Sequence, residues 1–154
     1  MESVIIRQAT VNDLQTLLLF EQGVIEAERP FDITLKMVDT NYYDIPKMIS
    51  SHEVQLLVAE ENDQLIGSGY ARIESAKPYL QHIQHAYLGF MYVLPQYRGL
   101  GINKMIMDDL ASWTLSQNIN ELRLDVYHIN EPAIRAYEKF GFTRHMVEMR
   151  KRIG

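Results

Sequence analysis

Residues 91–110, MYVLPQYRGLGINKMIMDDL, leave this chain little freedom in its local structure. An apolar run ends at Leu94, Pro95 removes a ladder donor, and glycines follow at positions 99 and 101. Ile102, Met105, Ile106, Leu110 and, further on, Trp113 then recur at helical spacing. The pattern is a strand, a tight glycine loop and a helix. Backbone N–H groups of such a loop gather where the helix dipole is positive, so the local chemistry favours an anion, most often a phosphate.

Gln96, Gly99 and Gly101 spell QxxGxG, although a GxG before a helix also occurs as a plain turn with no ligand. Arg98 and Lys104 bracket the loop, and a lysine in a helix's first turn opposes the dipole unless an anion lies near it. Two familiar phosphate loops do not fit. The Walker pattern needs Lys followed by Ser or Thr, which Asn103-Lys104-Met105 lacks, and the dinucleotide fingerprint needs a third glycine where Lys104 stands.

At 154 residues and 47% apolar, the chain suits one domain over residues 1–154 with a core of its own. A formal charge of −5 with no basic block argues against nucleic acid, and Arg150-Lys151-Arg152 reads as a solvated tail or edge strand. The absence of cysteine excludes thiol nucleophiles, disulfides and thiolate-bound zinc, and it fits a reducing compartment. Val4–Ile6, between Glu2 and Arg7, is too short for a signal-peptide core, and no span of about 18 apolar residues occurs. The expectation is a soluble cytoplasmic protein with no membrane partner and no metal.

Along the chain, Val4–Ile6 reads as a first strand, and Thr10 with Asp13 as a helix cap ahead of an apolar face of Leu14, Leu17, Leu18 and Ile25. Helical turns are expected at 35–38 and 46–49. A hairpin follows, 54–60 and 64–75 around a turn at 61–63, then a long strand at 83–94. Gly67, Gly69 and Gly89 weaken these strands unless something approaches the backbone or a bulge forms. Leu122, Leu124 and Val126 alternate as a strand, Asn130 caps a helix that holds Pro132 in its first turn and stops at Gly141, and 142–153 closes as a strand. This order predicts an α/β fold, a mixed sheet with helices on both faces.

Two stretches together, YVLPQYRGLGI (92–102) and LDVYHINEPAIRAYEKFGF (124–142), resemble the GCN5-related N-acetyltransferase (GNAT) superfamily. The resemblance implies a mostly antiparallel sheet of six or seven strands whose fourth and fifth splay apart. It implies acetyl-CoA as cosubstrate, with its arm between the splayed strands and its pyrophosphate on the loop, and a primary amine as acceptor. Carried over residue by residue, Gln96, Arg98, Gly99, Leu100, Gly101, Ile102, Asn103 and Lys104 hold the pyrophosphate, mostly through backbone N–H. Met91 and Val93 pair with the pantetheine amides as a neighbouring strand would, and Gly89 becomes a bulge that opens the splay. Asn103 departs from the pattern, standing where many members have Gly or Ala. Asn130, Ala133 and Tyr137 match the second motif, with Asn130 as cap and arm ligand. Tyr137, otherwise a core aromatic beside Phe140, becomes the acid that protonates the departing CoA thiolate.

A phenol of pKa ~10 and a thiol of ~8.5 are close enough to share a proton. The base is less defined. Many members place Glu on the fourth strand about nine residues before the glutamine, and Tyr87 stands there. His85 on the same strand face has a suitable intrinsic pKa; His82, Glu74 and a water chain stay open beside it. Acceptor recognition is expected around Glu21–Tyr43, where Glu26, Glu28, Asp32, Asp39 and Asp44 sit near Phe31, Tyr42 and Tyr43, suited to a small-molecule amine. An acidic protein also has acidic helices with no ligand. Other readings are an acetyl-CoA-binding sensor without turnover, an enzyme for peptide amines, and a phosphometabolite-binding domain. Val147, Met149 and Ile153 alternate against Glu148, Arg150 and Arg152, an edge that raises a homodimer as an expectation.

Overall fold

The computed structural model describes residues 3–154; Glu2, one flank of the first apolar run, lies outside them. Alternating apolar residues pair Val54–Glu61 (β2) with Gln64–Ser75 (β3), and Asn62 and Asp63 both take positive φ (50° and 63°) in the turn, the conformation a two-residue hairpin needs. Ile5–Gln8 (β1) lies antiparallel on β2, and Gln84–Val93 (β4) antiparallel on β3. Leu122–Arg123 (β5) is parallel to β4, giving the order β1-β2-β3-β4-β5.

Helices cover both faces. On one side Leu14–Glu28 (α1) and Ile45–Ser50 (α2) bury Leu17, Phe20 and Ile45 against Leu56, Val58, Tyr70 and Phe90. On the other, Ile102–Ser116 (α3) sets Ile102, Ile106 and Leu110 against Leu57, Ala59, Ile66 and Leu88. Each such buried side chain contributes about 1.5–3 kcal/mol over exposure. Gly67 and Gly69 are bare because α3 comes so close: a Cβ on Gly69 would meet Ile106 at 2.8 Å. Glu131–Phe140 (α4) starts at Asn130, whose Oδ1 accepts the Ala133 N–H (3.4 Å), and ends at Gly141. None of the described helices is long and apolar enough to cross a membrane.

The mixed sheet, the splay and the hairpin agree with the sequence reading, and four details differ. Leu18 is 37% exposed, because α1 turns Phe20 and Glu21 inward instead. No helix forms at 35–38; a 3-10 turn at Arg29–Phe31 precedes bends held by Asp32 and Thr40 side chains. β5 stops after Arg123 although Leu124 and Val126 continue the alternation, since β4 has already turned away. Among the described residues the sheet has five strands rather than six or seven, because 142–153 has no ladder partner.

Candidate active site

β4 and β5 meet only at Ala86↔Leu122 and Tyr87↔Arg123, then part. A bulge sets Phe90 and Met91 opposite the single residue Gly69, with Phe90 at φ 56°. The bulge lies three residues past the last β4–β5 pair at Tyr87, and Gly89, expected to open the splay, is bare for another reason: a Cβ there would lie 2.4 Å from the Tyr70 hydroxyl. Beyond the bulge Leu94 N–H turns inward to Ile66 O (2.9 Å), so Met91 and Val93 direct their backbone groups to the outer edge, which no described strand covers.

The chain then makes one 3-10 turn, Pro95–Tyr97, with Gln96 exposed on it. Gly99 and Gly101 adopt φ of 78° and 86°, a region that costs other residues about 1–2 kcal/mol. A Cβ on either would meet nothing within 4 Å, and Leu100 between them is 52% exposed. The first internal bond of α3 is Met105 N–H to Gly101 O (3.1 Å), so the N–H groups of Ile102, Asn103 and Lys104 have no intrahelical acceptor. The two cations turn aside. Arg98 Nε donates to Val93 O (2.9 Å) with its guanidinium 5.7 Å from the Tyr92 ring centre, and Lys104 pairs with Asp108 (2.8 Å). The loop's positive field is thus a backbone field.

Tyr137 lies half-buried on α4 with its ring 5.9 Å from that of Phe142. Burial, and after it the charge of Glu28, pushes its phenol up, so it holds its proton at neutral pH. On β4 the Tyr87 hydroxyl donates to Asp125 (3.1 Å), and burial with that carboxylate pushes the Tyr87 phenol up as well. The Arg72 guanidinium lies 5.3 Å from the Tyr87 ring centre and grips Glu74, whose other oxygen is 3.3 Å from Nε2 of the buried His85. The His82 ring is 6.0 Å from that of His85 and its Nε2 is 3.2 Å from Glu121. His82, His85 and Glu121 are spaced as metal ligands are, yet the Glu121 oxygen nearest His82 already takes Arg123 Nε at 2.6 Å.

A third group gathers at the end of α1. Glu21 is fully buried and accepts the N–H groups of Tyr42 and Tyr43 on one oxygen (2.8 and 2.7 Å), which fixes the backbone that carries both rings. Phe31 stacks on Tyr127 at 5.9 Å, and the Tyr127 hydroxyl donates to Asp32 (3.4 Å). The Tyr42 hydroxyl is buried near the Glu28 carboxyl, which burial pushes up. Glu28 also raises the phenols of Tyr42, Tyr43, Tyr127 and Tyr137, behind burial in every case.

The sequence profile of the acetyltransferase (GNAT) family matches residues 18–142. This chain belongs to that family. An N-alpha-acetyltransferase of Sulfurisphaera tokodaii is 25% identical over 142 residues, 89% of this chain and 78% of that protein. A mutant of the BH1408 protein from Bacillus halodurans shares 21% identity and a TM-score of 0.87, covering 97% of this chain and 99% of that one. A predicted acetyltransferase of Clostridium acetobutylicum, crystallised with acetyl-CoA, shares 21% identity and a TM-score of 0.72 over 96% of each chain. At these identities the two structures speak for the fold.

In the acetyltransferase the glycine loop heads α3, Met91 and Val93 stand on the outer edge of β4, and Asn130 caps α4. Of the five carboxylates expected on the acceptor side, Glu28 and Asp32 join the aromatic group. Glu26 is paired with Arg29 on the surface (2.8 Å), Asp44 caps α2, and Asp39 is exposed. Two participants escaped the sequence reading, Asp125 and Tyr127. Both stand on the alternating stretch after β5, and period-2 spacing from Arg123 would have placed them on the face that carries Tyr87.

Proposed function

We propose that this acetyltransferase moves an acetyl group from acetyl-CoA to a primary amine of a small molecule, by direct attack in a ternary complex with Tyr137 as general acid. What carries the reading is one pairing: a backbone anion cradle at the head of α3 and a half-buried, protonated phenol on α4. The residues suit the cosubstrate. Gly99 and Gly101 leave open space, Ile102, Asn103 and Lys104 offer N–H groups to a pyrophosphate, and Gln96, Arg98 and Leu100 form the rim. Met91 and Val93 offer strand-like groups to amides, and Asn130 and Ala133 begin α4, which carries Tyr137.

Acetyl-CoA supplies an acyl group activated as a thioester. Tyr137 keeps its proton until a thiolate needs it, and burial strengthens that hold. An alkyl amine of pKa ~10.4 must first lose a proton, and His85, oriented by Glu74, is the acceptor we assign, with His82 and Glu121 leading outward. Glu28 and Asp32, beside Phe31, Tyr42 and Tyr127, attract the ammonium group.

A second reading is favoured by the N-alpha-acetyltransferase relatives: the acceptor is the α-amine of a peptide. An α-amine of pKa ~7.7–8.0 is partly neutral at neutral pH and asks less of a base, which suits a fourth strand with Tyr87 where other members carry Glu. Thermal melts test the shared part of both readings. Acetyl-CoA at about 100 times its Kd stabilises the fold by ~2.7 kcal/mol, while ATP and NAD leave Tm unchanged. An equal rise with ATP would overturn the assignment.

A further inference from the structure

At the closed end of the β4–β5 ladder the fold collects two histidines and a glutamate. Ala86 pairs with Leu122 and donates its N–H to Glu121 O (2.9 Å), so His85 and Glu121 stand one residue before the first pair on neighbouring strands. Ala86 and Leu122 pack toward α3, and alternation turns His85 and Glu121 to the opposite face. His82 comes from the loop between β3 and β4, which the Ala76 N–H closes onto Ile83 O (2.8 Å). Each of the three offers a ligand atom within 4.8 Å of the others, and the two rings stand at 75° with centres 6.0 Å apart.

The support behind this trio is what separates it from a chance meeting of polar side chains. Nε2 of His85 lies 3.3 Å from one oxygen of Glu74, and Arg72 grips the other (2.9 and 2.6 Å). A neutral ring that donates to Glu74 presents its lone pair at Nδ1, and Nδ1 is buried with no partner among the described residues, on a side chain only 9% exposed. A carboxylate behind the far nitrogen is the arrangement that orients a metal-bound imidazole and raises its basicity. Glu121 is held in a similar way. Arg123 Nε takes one oxygen (2.6 Å) and is the foremost cause that keeps the carboxyl below its ordinary range, while the other oxygen accepts no hydrogen bond among the described residues. With no cysteine in the chain the donors are imidazole and carboxylate, a set that suits zinc and its d-block neighbours better than calcium or magnesium.

We propose that His82, His85 and Glu121 form a binding site for a divalent d-block cation, zinc foremost, with two nitrogens and one oxygen as ligands and a fourth position open to water. Tetrahedral ligands at about 2.0–2.2 Å from zinc stand ~3.4 Å apart, so closing on the ion takes inward shifts of about 1 Å, which a histidine on a loop supplies. Arg72 and Arg123 offset the charges of Glu74 and Glu121, leaving no net negative charge to deepen the site, so the binding is reversible rather than structural. A bound ion takes the His85 lone pair that accepting the amine proton would use, and saturating zinc therefore suppresses acetyl transfer. That consequence rests on His85 as the base; the binding itself does not.

Calorimetric titration of the full chain with zinc chloride, in a buffer that does not chelate metal, reads the site without turnover. The expected result is one zinc per chain. Affinity should fall at least about 10-fold in His82→Ala and in Glu121→Gln, the loss that even a residue behind a ligand brings, and stay unchanged in His128→Ala, whose exposed ring lies outside the trio. Circular dichroism and a cooperative melt establish that each variant folds, and the two substitutions lie on different elements so that one readout survives if the other variant does not fold. A wild-type chain that binds no zinc overturns the proposal, and so does binding that either folded variant keeps at full strength.

Discussion

The glycine loop at the head of α3 and the aromatic and acidic wall at the end of α1 carry charge of opposite sign on different parts of the chain. The loop offers main-chain N–H groups, all from residues 99–104, held by two glycines at positive φ. Its two cationic side chains are occupied elsewhere, with Val93 and Asp108. The wall is made of side chains far apart in sequence, Phe31 on Tyr127 and Asp32 under Arg150, with the buried Tyr42 hydroxyl near Glu28. A backbone site fails through conformation and a side-chain site through charge. Substitutions in the two regions should therefore affect different kinetic constants.

Tyr137→Phe should have the largest effect, a fall in kcat of about 10²-fold with little change in either KM. An unchanged kcat where chemistry limits the rate would remove Tyr137 from the mechanism. Gly101→Val forces a β-branched residue to φ 86° and should raise the KM for acetyl-CoA about 10-fold, which is ~1.4 kcal/mol, while sparing the KM for the amine. Glu28→Gln should do the reverse, raising the amine KM several-fold and leaving that of acetyl-CoA alone. Because burial lifts the Glu28 carboxyl above its ordinary range, its charge is lost on acidification sooner than an exposed glutamate's would be. The wild-type amine KM should therefore rise as pH falls through that raised value, and the Gln variant should not show the step.

The smallest expected change concerns the anchor of α1, which carries the wall. Asp13 is 7% exposed, accepts two bonds of 2.9 Å from Arg7, and takes the Thr10 N–H at 2.8 Å. Those contacts, the Arg7 hydrogen bonds foremost, hold its carboxyl below 3.8. A lowered folded-state pKa stabilises above the unfolded value, and the gain fades as pH falls through the folded one. Asp13→Asn should lower stability by about 1–3 kcal/mol at neutral pH, measured by urea titration, and by less near pH 3.

The parts of the fold that were legible in the sequence are those set by neighbours in the chain. Alternation and an Asn62-Asp63 turn fix β2 and β3 to within a residue, and Asn130, Pro132 and Gly141 bracket α4 with a cap, a tolerated first-turn proline and a left-handed stop. The glycine loop belongs to the same class, and two motifs in register named the family. What was illegible depends on distant partners. Val126 continues the spacing of a strand, but a ladder ends where its neighbour leaves, and β4 leaves after Tyr87. The tail has a strand's pattern with no ladder partner among the described residues. Asp125 meets Tyr87 from 38 residues away, so local spacing shows the carboxylate but not its hydrogen bond.

Thiol release from acetyl-CoA is the most direct test of the proposed transfer. The purified chain would be assayed against polyamines, amino acids, aminoglycosides and peptides with free N-termini, with Tyr137→Phe in parallel. The account predicts amine-dependent release of free CoA thiol with at least one of these acceptors, reduced about 10²-fold in the variant. Tight binding of acetyl-CoA with no thiol released above the amine-free rate by any acceptor would contradict it, and would mark the protein as a sensor of acetyl-CoA rather than a catalyst.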